Sequence, residues 1–395
     1  MKGANPYCLS INAGSSSLRF GIYEAGTEPR RILSGKIDRM GSSGTNLVVT
    51  NSAGHTSRPL RISRAGRRSP AGMLLDFLEA QPIFPSVAAV GHRVVHGMRH
   101  SRPERVTPKL LAELRRITPF DPDHLPVEVG MIEEFRRRLP KLSQVACFDT
   151  AFHRTMPAVA RIMPIPRKYA SRGVERYGFH GISCSYLMEE LGRLDRHAAK
   201  GRVILAHLGN GASVTAVLKG RSVDTSMGFT PASGLVMGTR SGDLDPGLAY
   251  FLARSERMTA AQFQSMVNRK SGLLGVSGSS SDLRDLLGRE ARDARAALAV
   301  ELFCYQVKKW IGSFAAAMGG LDTLVFSAGV GENSPIIRQR ICSGLGFLGI
   351  ALDAKRNARN SPLISNGTGR VAVRVIGTDE ELMIARSVTH VLKLG

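Results

Sequence analysis

The chain has 395 residues, enough for two or three domains with large apolar cores, so it needs neither a metal nor a disulfide framework for stability. Hydrophobic residues make up 43% and charged residues 22%, which excludes a disordered or fibrous protein. The unusual value is the net charge of +22, with 42 Arg and 12 Lys against 32 acidic residues. Such a surface attracts nucleic acid, anionic lipid or phosphorylated small molecules, although a basic composition with solvated faces explains it equally.

The five cysteines are odd in number, widely spaced and never in a CxxC pair. This pattern predicts reduced thiols in a cytoplasm and neither a disulfide framework nor a zinc site. The first ten residues lack the apolar core of a signal peptide, and no stretch approaches the roughly 18 consecutive apolar residues of a membrane span. We therefore expect a cytoplasmic protein that does not bind a membrane.

Apolar runs of strand length alternate with helical periodicity along nearly the whole chain, which predicts an α/β fold. Residues 8–13 and 18–22 form two strands around a small-residue turn, and residues 204–208 and 214–217 repeat this plan in the second half. The repeat predicts a duplicated domain with a cleft between the copies. Turns of this kind present backbone N–H groups that can bind phosphate.

The repeat also suggests where the domains divide. We expect an N-terminal domain over residues 1–150 and a C-terminal, nucleotide-binding domain over residues 151–379. The last helix, residues 380–395, is expected to pack on the N-terminal domain.

Two helices are predicted from local signals between these boundaries. Thr107 is a candidate N-cap, with Pro108 in the first turn of the helix that follows. A longer helix is expected from about Glu290 to Met318, where two glycines end it. Its expected buried positions include Leu298, Leu302, Tyr305 and Phe314.

Two predicted strands near the C-terminus lead into candidate functional segments. Residues 324–333 form a strand and a Gly-rich turn, where Gly329 and Gly331 leave room for the base or ribose of a nucleotide, although the GxG pattern is weak by itself. After the strand at 371–376, Thr378 and Glu381 have the spacing of a capping box, which gives Glu381 a structural role. Glu380 is then the better candidate for a metal or site carboxylate.

Short polar runs surround four residues that a packed core does not require: Arg93, Asp149, His180 and Arg240. Arginines can bind a carboxylate and stabilise a transferring phosphoryl group, and a histidine can donate a hydrogen bond to the same group. Taken singly, each arginine also fits a surface ion pair, and His180 fits a buried structural histidine. Together the four residues fit an anionic reaction centre better.

These runs resemble the acetate kinase family of acyl-phosphate-forming kinases, which have duplicated actin-like (ribonuclease H-like) ATPase domains. The matching runs follow the family order between Leu9 and Arg386, and the most specific are 148–157, 207–211 and 224–246. The resemblance implies reversible transfer of the ATP γ-phosphoryl group to acetate or a similar short-chain carboxylate, giving ADP and an acyl phosphate. It also implies Mg²⁺, or Mn²⁺, as cofactor and a homodimer.

The resemblance assigns roles by position. The catalytic residues it implies are Asp149, His180, Arg240 and Arg93. The acyl-pocket and substrate residues are Arg93, Val95, Phe179 and Pro231, and the metal residues are Asn12 and Glu380. The nucleotide-binding residues are Arg19, His207, Leu208, Gly209, Asn210, Gly211, Asp282, Leu283, Arg284, Gly329, Val330, Gly331, Glu332 and Asn333. Because a carboxylate acceptor is already ionised at pH 7, Asp149 is expected to position an arginine or metal and not to act as a base.

Four positions depart from the family pattern. Arg19 replaces a Lys, Cys184 replaces a His, and Asp379 replaces an Asn. Residues 120–124 read Phe-Asp-Pro-Asp-His where the family usually has Leu-His-Asn-Pro near the acyl pocket. We therefore expect an altered acyl pocket, with propionate or another short acid as an alternative acceptor. The acids and histidine of this segment also resemble metal ligands, but its two prolines favour a turn-rich loop.

Two further interpretations remain open. Pyrophosphate is an alternative phosphoryl donor, although Gly329 and Gly331 favour an adenine nucleotide. A non-catalytic homologue that binds nucleotides or nucleic acid is the alternative from another class, supported by the basic residues Arg58, Arg61, Arg64, Arg67 and Arg68. No aromatic residue for base stacking lies among them, so nucleic acid is not the expected partner.

Overall fold

A computed structural model describes residues 6–14, 17–38, 46–61 and 69–394. The strands in chain order are β1 (Tyr7–Ala13), β2 (Ser17–Glu24), β3 (Arg30–Asp38), β4 (Asn46–Asn51), β5 (Leu60–Arg61), β6 (Val87–Val94), β7 (Glu104–Arg105), β8 (Ser143–Phe148), β9 (Arg202–Leu208), β10 (Ala212–Leu218), β11 (Arg221–Thr225), β12 (Thr323–Ser327) and β13 (Ala372–Val375).

The helices in chain order are α1 (Pro70–Glu79), α2 (Pro108–Arg116), α3 (Leu125–Arg138), α4 (Ala158–Arg161), α5 (Arg167–Ala170), α6 (Gly181–Leu194), α7 (Gly247–Ser255), α8 (Ala260–Arg269), α9 (Gly272–Ser277), α10 (Leu283–Arg289), α11 (Ala294–Ala317), α12 (Ala328–Asn333), α13 (Pro335–Cys342), α14 (Ala354–Ala358) and α15 (Glu380–Leu392). None of the helices in these described ranges is both long and apolar enough to cross a bilayer. All five cysteines are buried, free thiols.

The chain forms two compact units. Unit 1 contains Met1–Phe152 and Asp379–Gly395, and unit 2 contains His153–Thr378. The C-terminal helix α15 therefore belongs to the same unit as the N-terminal strands.

The sheet of unit 1 has the strand order β5-β4-β3-β2-β1-β6-β8-β7. Strands β1, β2 and β3 are antiparallel neighbours, whereas β1, β6 and β8 run parallel. Helix α15 packs on β1 and β6. Gly91 in β6 permits this contact, because a Cβ atom there would lie 2.5 Å from Cγ2 of both Ile384 and Val388.

The sheet of unit 2 repeats this plan with the order β11-β10-β9-β12-β13. Strands β9, β10 and β11 are antiparallel neighbours, and β9, β12 and β13 run parallel. The five central strands of unit 1, β3-β2-β1-β6-β8, have the same order and directions. The predicted α/β class and the two predicted hairpins are therefore confirmed.

The helix predicted after Thr107 is confirmed as α2. The Thr107 hydroxyl accepts a hydrogen bond from the Leu110 N–H at 3.1 Å, and Pro108 is the first helical residue. Apolar residues on one side of the helix are buried: Leu110, Leu111, Leu114 and the following Ile117.

The long predicted helix is present as α11, but its predicted buried positions are only partly correct, and Leu302 is half-buried. Leu298 is 56% exposed and Tyr305 is 57% exposed, whereas Phe314 is buried. The buried stripe consists of Ala296, Ala299, Val300, Phe303, Cys304, Val307, Ile311, Phe314 and Ala315. Small Ala residues let the helix approach the sheet closely, and the larger side chains on the neighbouring face point outward.

Candidate active site

Arg93 lies near the end of β6, where three oxygen atoms hold its guanidinium. Nη1 donates to the Ala13 carbonyl at 3.2 Å and to Glu128 Oε1 at 3.2 Å, and Nη2 donates to Asp149 Oδ2 at 2.9 Å. The Arg93 side chain is 14% exposed, whereas the Glu128 and Asp149 side chains are each 1% exposed. Two buried carboxylates thus orient a guanidinium that keeps a small accessible surface for an anion.

Parallel strands bring these groups together. Asp149 directly follows β8, and its N–H donates to the Val94 carbonyl of β6 at 2.9 Å. Strand β6 also runs parallel to β1, with Ile11 opposite His92. The carboxyl ends of β1, β6 and β8 therefore meet at one edge of the sheet, which is where open α/β sheets place their ligands.

Asn12, at the end of β1, binds two carboxylates of α15. Its Nδ2 donates to Glu380 Oε2 at 2.7 Å and to Glu381 Oε1 at 3.2 Å. The predicted capping box is wrong, since the N-cap is Asp379, whose Oδ1 accepts a hydrogen bond from the Leu382 N–H at 2.9 Å. Aspartate is as good an N-cap as threonine, so the helix begins one residue later. Both glutamates therefore face Asn12.

The carboxylates of unit 1 repel one another. Burial raises the pKa of Glu380, and the charge of Asp149 raises it further, against the effects of Arg93, the Asn12 hydrogen bond and Arg19. Burial and the Glu380 charge also raise the pKa of Glu381. Arg19 is an exposed residue of β2 that pairs with Asn12 in the sheet. It contributes positive charge to this cluster.

Burial and neighbouring charges also shift the pKa values of Arg93 and Glu128. Burial lowers the pKa of Arg93, but the charges of Asp149, Glu128 and Glu380 outweigh this effect and raise it. Burial raises the pKa of Glu128 to about 8, although Arg93 and the hydrogen bond from the Val95 N–H lower it. Arg93 therefore remains charged at any physiological pH.

We tested whether Asn12 and Glu380 fit a divalent cation. Within the described ranges, no group of three or more His, Cys, Asp or Glu side chains is placed to hold a metal ion. Mg²⁺ commonly uses only one or two carboxylates, with water and phosphate oxygens completing its shell. A buried Glu380 whose charge is disfavoured by Asp149 gains from such a cation. The donor set therefore fits Mg²⁺ bound together with a phosphate.

His180 of unit 2 is the N-cap of α6, in the left-handed region with a φ of 60°. The preceding loop enforces this conformation, which is unfavourable for histidine. The N–H groups of Tyr177 and Gly178 both donate to the Gly228 carbonyl, at 3.0 and 3.3 Å. A Cβ atom at Gly178 would lie 2.4 Å from Thr225 Cγ2, so only glycine fits there. The tight loop fixes the direction of the His180 side chain.

His180 and Arg240 converge next to the β9–β10 turn. His180 Nδ1 lies 2.9 Å from Ser213 Oγ, and its ring stacks on His207 with the centroids 4.2 Å apart. A Cβ atom at Gly211 would lie 3.4 Å from His180 Nε2 and 3.5 Å from Arg240 Nη1. The missing side chain of Gly211 thus leaves space beside both groups, as an approaching phosphoryl group requires.

The turn that carries Arg240 is rigid. The Met237 N–H donates to the Arg240 carbonyl at 3.0 Å, and the Leu273 N–H donates to the Met237 carbonyl at 2.8 Å. A Cβ atom at Gly272 would lie 2.6 Å from the Arg240 carbonyl oxygen, so α9 begins in direct contact with the turn. Arg240 Nη1 also donates to the carbonyl of Pro231 at 3.2 Å.

The first predicted nucleotide segment is the β9–β10 hairpin. The Gly209 N–H donates to the Gly211 carbonyl at 3.1 Å, and the Gly238 N–H donates to the Asn210 carbonyl at 3.3 Å. Leu208 is fully buried in the core. The structure thus places this turn and the Arg240 turn side by side.

The polar residues of the second predicted nucleotide segment, residues 282–284, have a local structural role. Asp282 is the N-cap of α10, and its Oδ1 accepts a hydrogen bond from the Arg284 N–H at 2.8 Å. The Arg284 side chain pairs with Asp282 at 2.5 Å and is 89% exposed, whereas Leu283 is buried. Arg284 can bind a ligand only by leaving this exposed ion pair.

The third predicted nucleotide segment, residues 329–333, lies in the short helix α12 and does not form the predicted turn. A Cβ atom at Gly329 would meet no atom within 4 Å, but one at Gly331 would lie 3.4 Å from the Phe326 carbonyl carbon. Gly331 is therefore explained by packing on the sheet. Asn333 Nδ2 donates to the Gly329 carbonyl at 3.0 Å and closes the helix, which also contains Val330 and Glu332.

A buried arginine that the sequence did not indicate supports α12. Arg338 is 0% exposed, and its guanidinium donates to the carbonyls of Gly331 and Glu332 at 2.8 and 2.9 Å. It also donates to Asn357 Oδ1 at 2.8 Å and Asn360 Oδ1 at 2.6 Å. Burial lowers the pKa of Arg338 to about 10. The arginine thus satisfies the last carbonyls of α12.

The predicted acyl-pocket residues are distributed over both units. In unit 1, Val95 is buried after β6, and its N–H donates to Glu128 Oε2 at 2.8 Å. In unit 2, Phe179 is buried and its carbonyl accepts a hydrogen bond from His153 Nε2 at 2.8 Å, while Pro231 is half-buried.

The divergent segment 120–124 is a structured turn of unit 1. Asp121 is 5% exposed, and its Oδ1 accepts hydrogen bonds from the His124 N–H at 3.1 Å and from His124 Nδ1 at 2.8 Å. The Phe120 ring lies 5.7 Å from the ring of His96. Asp121 thus organises the turn before α3, in agreement with the turn-rich loop favoured above.

Of the basic residues offered as a nucleic-acid surface, Arg58 is exposed. Arg64, Arg67 and Arg68 lie outside the described residues, as does the side chain of Arg61.

Two copies of one sheet plan, with polar groups at the carboxyl ends of the central strands, define a duplicated actin-like ATPase fold. This is the fold class expected from the sequence.

Comparisons with known proteins identify the family. The model of the acetokinase family matches residues 7–386. The chain is 44% identical to an acetate kinase of Rhodopseudomonas palustris, covering 98% of each, and 44% identical to a propionate kinase of Citrobacter rodentium, covering 97% and 96%. The structure matches that of a propionate kinase from Francisella tularensis with a TM-score of 0.91 and 34% identity, covering 98% and 99%. The chain belongs to the acetokinase family.

Sequence reasoning missed the contacts of five residues with the predicted segments: the buried Glu128, Ser183 and Arg338 and the half-buried Glu381 and Thr378. Only Glu128 left a clear signal. It shares the apolar face of α3 with Leu125, Ile132 and Phe135, where an acid has no place unless it is paired.

Proposed function

We propose that the protein is an ATP-dependent kinase that transfers the γ-phosphoryl group to the carboxylate of acetate or a similar short-chain acid. The products are ADP and an acyl phosphate, and the reaction is reversible. The observation that carries this proposal is Arg93, a guanidinium held by two buried carboxylates at the ligand edge of its sheet. Membership of the acetokinase family supports the same chemistry.

The proposed site residues have two roles, which are binding of the acceptor and neutralisation of negative charge. Arg93 binds the acceptor carboxylate, and Asp149 fixes the orientation of the guanidinium. His180 Nε2 and Arg240 Nη1 stabilise the negative charge of the phosphoryl group during transfer. No general base is required, because the acceptor is ionised at neutral pH. Catalysis therefore consists of positioning and electrostatic stabilisation.

We also propose that Asn12 and Glu380 hold Mg²⁺. When bound with the nucleotide, the ion supplies positive charge to the phosphate oxygens. Without a cation, the negative charges of Glu380 and Asp149 repel each other, and a bound cation would relieve this repulsion.

The two compact units support a division into an N-terminal domain that carries α15 and a nucleotide-binding domain formed by unit 2. In unit 2, the nucleotide is proposed to contact the β9–β10 hairpin, Arg284 and the N-terminal part of α12. Open space at Gly329 supports this placement. Arg19 of unit 1 is proposed to contact the phosphates.

A homodimer is proposed as the assembly. Several large apolar side chains of unit 2 helices are exposed: Tyr250 (72%), Phe251 (62%), Leu298 (56%) and Tyr305 (57%). Covering them would remove a substantial apolar area from water. Light scattering of the purified protein tests the proposal, and a monomeric mass at micromolar concentration would contradict it.

Propionate is the second candidate acceptor. The divergent turn that contains Phe120 and Asp121 supports it, because this turn precedes α3, whose Glu128 binds both Arg93 and Val95. Kinetics with acetate, propionate, butyrate and hydroxylated acids distinguish the candidates. A clear acetate optimum would contradict the altered pocket.

A hydroxamate-trapping assay for acyl phosphate tests the proposed reaction with ATP and, separately, with pyrophosphate. Arg240→Ala is expected to lose activity while binding ATP with unchanged affinity. Arg193→Ala, which removes an exposed ion pair with Glu190 elsewhere in unit 2, is the matched control and should remain active. A wild-type protein that forms no acyl phosphate but shifts labelled DNA at physiological salt would favour the non-catalytic alternative.

A further inference from the structure

Three side chains of unit 2 form a hydrogen-bonded chain that ends on His207. Ser183 Oγ lies 2.8 Å from His207 Nδ1 and 2.8 Å from Thr378 Oγ1. Ser183 is fully buried and His207 is 8% exposed, so solvent has little access to these contacts. The three residues come from α6, β9 and the segment after β13. No local feature of the sequence connects them.

The chain restricts where the imidazole proton lies. Each hydroxyl has one hydrogen, so two arrangements satisfy both hydrogen bonds. In one, Thr378 donates to Ser183, Ser183 donates to His207 Nδ1, and Nε2 carries the proton. In the other, Nδ1 carries the proton and donates to Ser183, which donates to Thr378. The two arrangements present opposite hydrogen-bonding character at Nε2.

Neighbouring groups and the ligand select between these arrangements. His207 stacks on His180, and a Cβ atom at Gly211 would lie within 3.5 Å of both His180 Nε2 and Arg240 Nη1, so the ring lies next to the proposed phosphoryl site. Phosphate oxygens accept hydrogen bonds and cannot donate them at neutral pH. Only the arrangement with a proton on Nε2 lets a neutral His207 donate to a phosphoryl oxygen.

We propose that Ser183 and Thr378 are positioning residues that hold His207 as the Nε2–H tautomer, ready to donate to a phosphoryl oxygen of the nucleotide. The nucleotide as ligand, and with it the choice of the Nε2–H tautomer, rests on the proposed function, whereas the contact of Ser183 with Nδ1 is seen in the structure. Ser183 acts directly on the ring. Thr378 acts through Ser183.

Thr378 is itself held by α12. Its N–H donates to Glu332 Oε1 at 3.1 Å, and a Cβ atom at the preceding Gly377 would lie 3.4 Å from Glu332 Oε2. The Glu332 carboxylate therefore fixes the backbone of Thr378, which sets the position of its hydroxyl. Two of the predicted nucleotide segments, the β9–β10 hairpin and α12, are thereby connected through hydrogen bonds.

The test combines nitrogen NMR of the full-length protein with steady-state kinetics. In ¹⁵N-histidine-labelled protein saturated with ADP, long-range ¹H–¹⁵N correlations identify the protonated nitrogen of His207, and a His207→Asn sample assigns the signal. We expect the Nε2–H form in the wild type. In Ser183→Ala, we expect part of the population as the Nδ1–H tautomer, because the Ser183 hydroxyl no longer donates to Nδ1.

Ser183→Ala should lower kcat/KM for ATP by about 10- to 100-fold, the range for losing a hydrogen bond to a charged acceptor. The KM for the carboxylate should stay within about twofold. Thr378→Val should show a smaller loss, and Thr378→Ser should restore activity because it keeps the hydroxyl. Thr215→Val is the matched control, since it removes a buried hydroxyl bonded to Thr225 at 2.9 Å in the same sheet without contacting His207.

The outcomes separate the two proposals. An Nδ1–H tautomer in the wild type overturns the inference, as does a Ser183→Ala protein with unchanged tautomer and unchanged kcat/KM for ATP. An equal loss in Thr378→Val and Thr378→Ser also overturns the part assigned to Thr378. If His207 shows the expected tautomer and its change in Ser183→Ala, but the wild type forms no acyl phosphate, only the proposed function fails.

Discussion

The buried carboxylate of Glu128 offers a direct test of how Arg93 is oriented. Replacing Glu128 with Ala removes the acceptor of two donors, Arg93 Nη1 at 3.2 Å and the Val95 N–H at 2.8 Å. An orphaned buried donor costs about 1–3 kcal/mol, and more where the donor is charged, and Glu128→Ala orphans one amide N–H and one guanidinium N–H. We therefore expect unit 1 to lose about 3–5 kcal/mol of stability in Glu128→Ala.

Amide hydrogen exchange measures this effect at the residue concerned. The Val95 amide is expected to lose about 10- to 100-fold in protection, in line with about 1–3 kcal/mol. The KM for acetate should rise about tenfold, because Arg93 keeps its charge but loses one of its orienting contacts.

Two variants serve as controls. Glu128→Gln keeps an oxygen for the Val95 N–H and should retain its protection, with a KM for acetate within a few-fold of the wild type at pH 7. Glu133→Ala, on the same helix, removes an exposed ion pair with Arg115 and should change neither quantity. If Glu128→Ala leaves both the protection of the Val95 amide and the KM for acetate unchanged, the orienting role of Glu128 is refuted.

Four further results are expected. Because burial raises the pKa of Glu128 to about 8, ionisation above that pH adds negative charge beside Arg93, so the KM for acetate should rise in a pH series and stay flat in Glu128→Gln. The same raised pKa means that the Glu128 contribution to stability is complete below about pH 4.5 and is lost as the pH rises towards 8. Urea titrations at several pH values measure this loss, and a stability difference between wild type and Glu128→Gln that does not change with pH would contradict it. Glu380→Gln should raise the Mg²⁺ concentration for half-maximal activity by about tenfold or more, and an unchanged Mg²⁺ titration would remove Glu380 from the metal site. Arg284→Ala should raise the KM for ATP with an unchanged melting temperature, because the Arg284 side chain is 89% exposed; an unchanged KM would limit Arg284 to its local ion pair.

The basic composition is only partly explained by the site. Arg93, Arg240 and Arg19 have proposed functional roles, because the proposed ligands are anions. Many other arginines form exposed ion pairs, for example Arg30 with Glu24 and Arg137 with Glu134, and such pairs contribute little to stability.

Local sequence determined the features whose hydrogen bonds are local. The two hairpins, the Thr107 cap and the polar residues at strand ends follow from alternation, turn residues and capping side chains within a few positions of one another. The same information identified Arg93, Asp149, His180 and Arg240, because polar residues next to strands stand out against an apolar core.

Tertiary structure decided which partners those residues have. Glu128 reaches Arg93 only because α3 packs beside β6, and Ser183 joins His207 to Thr378 only because α6 lies over the ends of β9 and β13. The buried face of α11 and the use of Asp379 as the cap of α15 were likewise set by packing. Such contacts depend on the distance between residues far apart in the chain, which a one-dimensional pattern does not contain.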